Sequence, residues 1–416
     1  MPPSPLADHP PRLATASFSA HTAGMSPLTI VRAMPFFAPA TQFGGVISQA
    51  RETSRKLAAQ GHRVRVVTTD NGQPDQTPRD VWVEQDGYEV YYASTSALQR
   101  GVPYWSPSIR KPLLEALPDA DVLQLNVGLT LTNALARKLA QRFGVPYVYN
   151  AEGALCPVRL RLKRWRKSLF LSLVERRVLR DAAALQAVTG KEADDLVRQG
   201  ALRERVHLIP NGVGAAEHVP SAAGDPREHL GIPADAPLVL FLGRIHQIKG
   251  IGLLLSAIAR VTDVEPWLLV VGPDEDGSRG ALEAQTDELK IRQRVLFTGA
   301  QDGASKAAMF ATADLFALTS YTEGLPNAVL EACAHGLPCL ITRECNVPEV
   351  AEHGAGRVVE CDIQAISAAL SEMLTDRGAL EAMGEAARRL VEQRFSLDGV
   401  VNELSNLYRS LYDARP

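Results

Sequence analysis

The sequence predicts an α/β fold of two domains, on three observations. Both halves open with the same order of strand, glycine turn and helix: residues 28–34 with Gly44-Gly45, and residues 237–242 with Gly243-Arg244 and Lys249-Gly250. Short apolar stretches then alternate with helical ones, the pattern of βαβ units on a parallel sheet. A chain of 416 residues, 46% hydrophobic and 22% charged, can bury two cores of roughly 150–200 residues each. The expected division is a tail over 1–27, a first domain over 28–212 and a second over 213–396. Residues 215–226, small, polar and proline-containing, read as the joint. A last helix, 397–416, is expected to pack back on the first domain.

In the first half, the helix predicted over 46–60 repeats its apolar face at Val46, Ala50, Leu57 and Ala58, and Gly61 ends it. Glycines ahead of it let a phosphate approach the helix N-terminus, or simply make a tight turn. Strands are predicted over 64–69, 88–92, 121–126 and 145–149, with helices over 108–117 and 129–143. Residues at the carboxyl ends of such strands face the ligand crevice. Asn126 and Glu152 are nominated on that ground, with capping of the following segment as the alternative role.

The segment from Arg159 to Arg180 carries nine Lys or Arg and one acid, Glu175, interleaved with Leu160, Leu162, Trp165, Leu169 and Phe170. Such a basic amphipathic helix suits an anionic membrane face, or an ordinary packed surface. Net charge is −3, and no second basic patch accompanies the segment, so nucleic acid is not an expected partner. The five cysteines form no Cys-x-x-Cys and no zinc-like spacing, which favours reduced thiols, a cytoplasmic setting and no metal. No stretch is long and apolar enough for a membrane span. The tail lacks the apolar run of a signal peptide, and a true start near Met25 is one expectation.

The second half begins with the strand over 237–242. Arg244 and Lys249 stand near a glycine-rich helix N-terminus. There, Arg244 could grip phosphate oxygens as a planar fork, and Lys249 could neutralise charge on a leaving group. Asp274-Glu-Asp-Gly277 reads as a solvated turn and stays out of the site. The stretch from Tyr321 to Pro338 holds the chemistry: Glu323 in a loop, Pro326 at a helix start, and Glu331 about one and a half turns inside the helix. Two carboxylates so spaced can face one elongated ligand, accepting hydroxyls of a sugar at one end and a ribose at the other. Each hydrogen bond of that kind nets roughly 1.5–3 kcal/mol. Helices over 365–374, 377–394 and 397–412 close the chain.

Pro210-Asn-Gly-Val213, Gly243-Arg244 with Lys249-Gly250, and Glu323 ahead of Glu331 and Gly336-Leu-Pro338 together resemble the retaining glycosyltransferases of family four. The resemblance runs from about residue 28 to 412. It implies the GT-B fold, two Rossmann-like domains facing a central cleft, and a UDP- or GDP-sugar as donor with no cofactor and no metal. In the roles it implies, Glu331 binds the ribose, Glu323 lies by the donor sugar hydroxyls, and Arg244 and Lys249 hold the diphosphate. Gly44 and Gly45 form the first-domain glycine loop, and the amides of Gly324 and Leu325 lie against the sugar. The implied acceptor is a carbohydrate or a lipid-linked oligosaccharide, with attack on the face the leaving phosphate departs from. Many relatives carry His where this chain has Gln124 and Asn126, and His or another nitrogen-bearing residue at the place of Glu152. The acceptor side is therefore either a variant site or an altered activity. Beside a hexosyltransferase on the inner face of the plasma membrane stand two other readings. One is a catalytically silent nucleotide-sugar-binding subunit, and the other an epimerase on the same architecture.

Overall fold

The chain's structure is a computed structural model that describes residues 26–40, 44–95, 105–157, 160, 169–216, 226–301 and 303–415. Two sheets organise it. The first runs β3-β4-β2-β1-β5-β6-β7-β8. Its strands are β1 Thr29–Ala33, β2 Arg63–Thr69, β3 Trp82–Gln85, β4 Tyr88–Ala93, β5 Val122–Asn126, β6 Tyr147–Asn150, β7 Ala184–Ala187 and β8 Val206–Leu208. All pair in parallel except β3, which forms a hairpin with β4. The second sheet runs β11-β10-β9-β12-β13-β14 and is wholly parallel. Its strands are β9 Leu238–Leu242, β10 Trp267–Val271, β11 Val295–Gly299, β12 Leu315–Leu318, β13 Cys339–Thr342 and β14 Gly356–Val359.

Central strands such as Leu238-Val-Leu-Phe-Leu242 are apolar at every position because helices cover both faces of a parallel sheet. Leu238 to Phe241 are fully buried. The last helix, Leu397–Asp413, crosses back to the first sheet. Val400, Val401, Leu404 and Tyr408 share a core with Ile30, Ile47, Leu57 and Val64. Polar contacts fix its register: Tyr408 donates to Gln124 Oε1 at 3.1 Å, and His62 Nε2 meets Ser405 Oγ at 2.9 Å.

The structure departs from the sequence expectations in several local ways. The helix expected from 129 starts at Leu131 instead, because Val127 and Leu129 take left-handed backbone (φ 65° and 62°) and Thr130 caps it, accepting from Asn133 N. A short 3-10 turn, Gln247–Lys249, holds Lys249 itself, so the helix begins only at Ile251 and runs to Ile258. The strands β3 and β14 were not anticipated. The turn at 274–277 is exposed, as expected, and is also bonded: Asp276 Oδ2 accepts from Gln247 N at 3.0 Å, and Glu275 pairs with Arg244. Much of the tail and of the basic segment, residues 1–25, 158–159 and 161–168, lies outside the described residues. The part described holds a π-helical turn, Leu171–Glu175, and the helix Arg176–Asp181, with Leu169 and Leu173 exposed.

Candidate functional site

Strand order sets where a site can lie. In the second sheet the chain runs outward from β9 to β10 and returns to β12 on the other side, so the loops after β9 and β12 part company there. In the first sheet the same reversal falls between β1 and β5. Open α/β sheets bind ligands at such switch points, beyond the carboxyl ends of the strands. Lys249 and Glu323 follow β9 and β12; Gly44-Gly45 and Asn126 follow or end β1 and β5.

Lys249 and Glu323 meet at one of these points. Lys249 Nζ donates to Glu323 Oε1 at 2.6 Å, and both side chains are mostly buried, at 14% and 12% exposure. Local bonds force the encounter. Thr319 Oγ1 donates to the carbonyl of Gly250 at 2.9 Å, and Tyr321 N to that of Ile248 at 2.8 Å. Gly250 sits at φ 64° against Thr319, where a Cβ would lie 2.0 Å from the carbonyl oxygen. Ser320 Oγ adds a 2.6 Å bond to Glu323. Asn346, itself left-handed at φ 57°, donates from Nδ2 to the carbonyl of Glu323 at 2.7 Å. The amides of Gly324 and Leu325 find no protein acceptor among the described residues. Burial first, and then the charge of Glu323, push the neighbouring Cys345 thiol up to about 12, which makes that thiol a packing group.

Glu331 does not share this pair. Its Oε1 accepts from Lys306 Nζ at 2.7 Å, on the helix Gly303–Thr312. Arg244 also stands apart, its guanidinium bound to Glu275, with both side chains more than a third exposed. Gly45 lies at the domain junction: its carbonyl accepts from Asn327 Nδ2 at 3.1 Å, and a Cβ on it would come within 2.6 Å of that nitrogen. Asn327 Oδ1 in turn accepts from Asn211 Nδ2 at 2.9 Å. Gly44, at φ 72°, has open space where a side chain would be.

On the first-domain side, Asn126 Nδ2 and Asn150 Nδ2 both donate to Glu152 Oε1, at 3.1 and 3.0 Å. Asn126 is 5% exposed, and its Oδ1 is buried with no partner among the described residues. Between the domains lies a narrow cleft, lined by Gly153, Thr189 and Lys191 on one wall and Ile248, Glu323 and Asn346 on the other. The structure therefore joins Lys249 to Glu323 and Asn126 to Glu152, and leaves Arg244 and Glu331 in separate ion pairs.

Sequence reasoning missed Lys306, Ser320 and Glu192, and it put the loop 346–349 at the mouth of the same sheet edge without giving Asn346 a contact in the site. Asn-x-Pro after a strand was a usable sign for Asn346, and the Thr189-x-x-Glu192 spacing of a capping box for Glu192. Nothing local marks Lys306. Among the described residues, no group of three or more His, Cys, Asp or Glu is placed to hold a metal ion.

Comparison with known proteins adds independent findings. Residues 44–212 match the model of the glycosyl transferase 4-like domain, and residues 225–390 that of glycosyl transferases group 1. The chain is 30% identical over 265 residues to a D-inositol 3-phosphate glycosyltransferase of Xylanimonas cellulosilytica, covering 58% of this chain and 60% of that protein. It is 30% identical over 210 residues to the lipopolysaccharide core biosynthesis glycosyltransferase LpsE of Rhizobium meliloti, covering 50% and 59%. The chain thus spans about three fifths of the length of these relatives. In three dimensions it resembles Anabaena HepE, solved in complex with UDP-glucose, at a TM-score of 0.73 and 19% identity over 92% of this chain and 100% of that one. With one model on each domain and a two-sheet fold to match, the chain belongs to the family-four glycosyltransferases of the GT-B fold.

Proposed function

We propose that the protein transfers a hexose from a nucleoside diphosphate sugar, with UDP or GDP as leaving group, to a hydroxyl of a carbohydrate or lipid-linked acceptor, with retention at the anomeric carbon. The observation that carries this is the Lys249–Glu323 pair at the switch point of the second sheet, whose Glu323 lines the interdomain cleft. In this reading Glu323 orients donor sugar hydroxyls, and the Gly324 and Leu325 amides lie beside it. Lys249 turns to the diphosphate, where charge grows as the bond from C1 to the phosphate oxygen breaks. Arg244 reaches the same phosphates by exchanging Glu275 for them, and Glu331 takes the ribose hydroxyls in place of Lys306. The two cations do the charge work for which other enzymes use a metal.

The acceptor hydroxyl bonds to C1 on the face the phosphate leaves, and its proton passes to the departing phosphate oxygen. Asn126, whose buried Oδ1 has no partner among the described residues, and the Glu152 carboxylate supply acceptors to align it. The kinship with LpsE favours an envelope or extracellular polysaccharide as the setting. Leu169 and Leu173, 54% and 53% exposed and one helical turn apart, lie next to Arg176 and Arg177. This face suits peripheral binding to an anionic membrane from the cytoplasmic side. Among the described residues, no helix is long and apolar enough to cross a membrane.

A panel of UDP- and GDP-sugars, assayed for transfer and for slow donor hydrolysis, tests the reading. Turnover of at least one donor is expected. Silence with all of them, together with no binding of nucleoside diphosphates, would refute it. A second reading, a silent nucleotide-sugar-binding subunit, is favoured by the bond from Asn126 to Glu152, two positions at which the family resemblance leads one to expect His or another nitrogen-bearing residue. Tight donor binding without turnover would select it.

A further inference from the structure

The turn that carries Glu152 is held in an unfavourable conformation. Glu152 and Gly153 take φ values of 53° and 70° in succession, and a residue with a Cβ rarely enters that region unless its surroundings hold it there.

Glu192 supplies the hold. Its Oε1 accepts from the Gly153 amide at 2.6 Å and its Oε2 from the Val188 amide at 2.9 Å. One side chain therefore ties together the segments that follow β6 and β7. The carboxyl group reaches them from the first turn of the helix Gly190–Arg198, which Thr189 Oγ1 fixes by accepting from the Glu192 amide at 3.1 Å. Thr-x-x-Glu spacing ordinarily turns the glutamate back on the amide of the cap residue. Here both oxygens go elsewhere, one of them to a turn in the cleft wall, and the residue is only 6% exposed.

The turn faces the donor loop. A Cβ built on Gly153 would lie 3.9 Å from the Cα of Gly324, the residue after Glu323. Movement of the Gly153 amide would change both the separation of the two walls and the place of Glu152.

We infer that Glu192 is a positioning residue for transfer: by pinning the Gly153 amide it fixes the turn that presents Glu152 and abuts Gly324. The inference rests on the transfer reading above. Its consequence is a split, in which loss of the pin slows acceptor attack and leaves nucleotide binding to the second domain intact.

Glu192→Ala and Glu192→Gln, compared with the wild-type chain, provide the test. Three quantities are measured: kcat for transfer, Kd for UDP and GDP, and hydrogen exchange in peptides covering 150–155. The expected result for Glu192→Ala is a kcat at least tenfold lower, a nucleotide Kd within twofold, and faster exchange at 151–154 with β5 and β6 still protected. Glu192→Gln should lose less, because its amide oxygen can still accept from one of the two amides. Unchanged exchange at 151–154 would overturn the inference, as would a kcat loss matched by loss of nucleotide binding and by faster exchange throughout the domain. Should the wild type turn over no donor, the transfer reading fails on its own account, and exchange at 151–154 still decides whether Glu192 pins the turn.

Discussion

Replacing Glu175 with Gln should remove a fall in stability that the native protein shows as pH rises from about 5 to about 8. Glu175 is fully buried in the π-helical turn Leu171–Glu175. The Tyr149 hydroxyl donates to its Oε1, the Leu129 amide also bonds to the carboxylate, and Oε2 has no partner among the described residues. Burial pushes its carboxyl up from an ordinary 4.5 to about 7, outweighing the two hydrogen bonds that favour the charged form. Burial likewise holds Tyr149 well above its usual value, so its hydroxyl stays a donor. The sign follows from proton counting. Between 4.5 and about 7 the folded chain keeps a proton that the unfolded chain has lost, so this contribution is complete below 4.5 and disappears as pH passes about 7. The full difference corresponds to about 3 kcal/mol. Urea unfolding of wild type and Glu175→Gln at pH 5, 6, 7 and 8 measures it, with the difference between the two curves as the readout. Parallel curves would show that Glu175 does not hold a proton in the native state, and the reasoning from its burial would fail.

Three further outcomes follow from the site and its surroundings. Lys249→Ala should lower turnover at least tenfold, equivalent to about 1.4 kcal/mol of transition-state stabilisation; unchanged kcat would remove Lys249 from the chemistry. Gly250→Ala should destabilise by more than about 1 kcal/mol, because φ is positive and the new Cβ would meet the Thr319 carbonyl. A melting temperature equal to wild type would contradict that packing. Leu169→Ser combined with Leu173→Ser should reduce co-sedimentation with anionic vesicles, and equal sedimentation of both proteins would reject the membrane face.

The parts of the site that were legible in the sequence are those set by neighbours along the chain. Gly44-Gly45, Lys249-Gly250 and the loop and helix around Glu323 and Glu331 each announce a turn and a helix start through residues a few positions apart, and the alternating strands gave the two-sheet architecture. Partners brought in from distant elements were not legible. Glu331 pairs with Lys306 and Arg244 with Glu275, 25 and 31 positions away, and only the packing of one helix or loop on another decides such pairs. Glu192 reaches Gly153 across 39 positions. Strand β3 escaped notice because Trp82-Val-Glu-Gln85 is short, lies at the sheet edge and lacks a fully buried residue. The left-handed Val127 and Leu129 could not be foreseen, since neither residue type favours that backbone.

The central claim, that the pair at the switch point of the second sheet holds the donor, is tested most directly by a crystal structure with an intact or non-hydrolysable nucleoside diphosphate sugar. The account predicts the diphosphate on Lys249, sugar hydroxyls on Glu323, and ribose hydroxyls on Glu331 with Lys306 displaced. A nucleotide bound elsewhere, or one in the cleft whose phosphates leave Lys249 on Glu323, would contradict it.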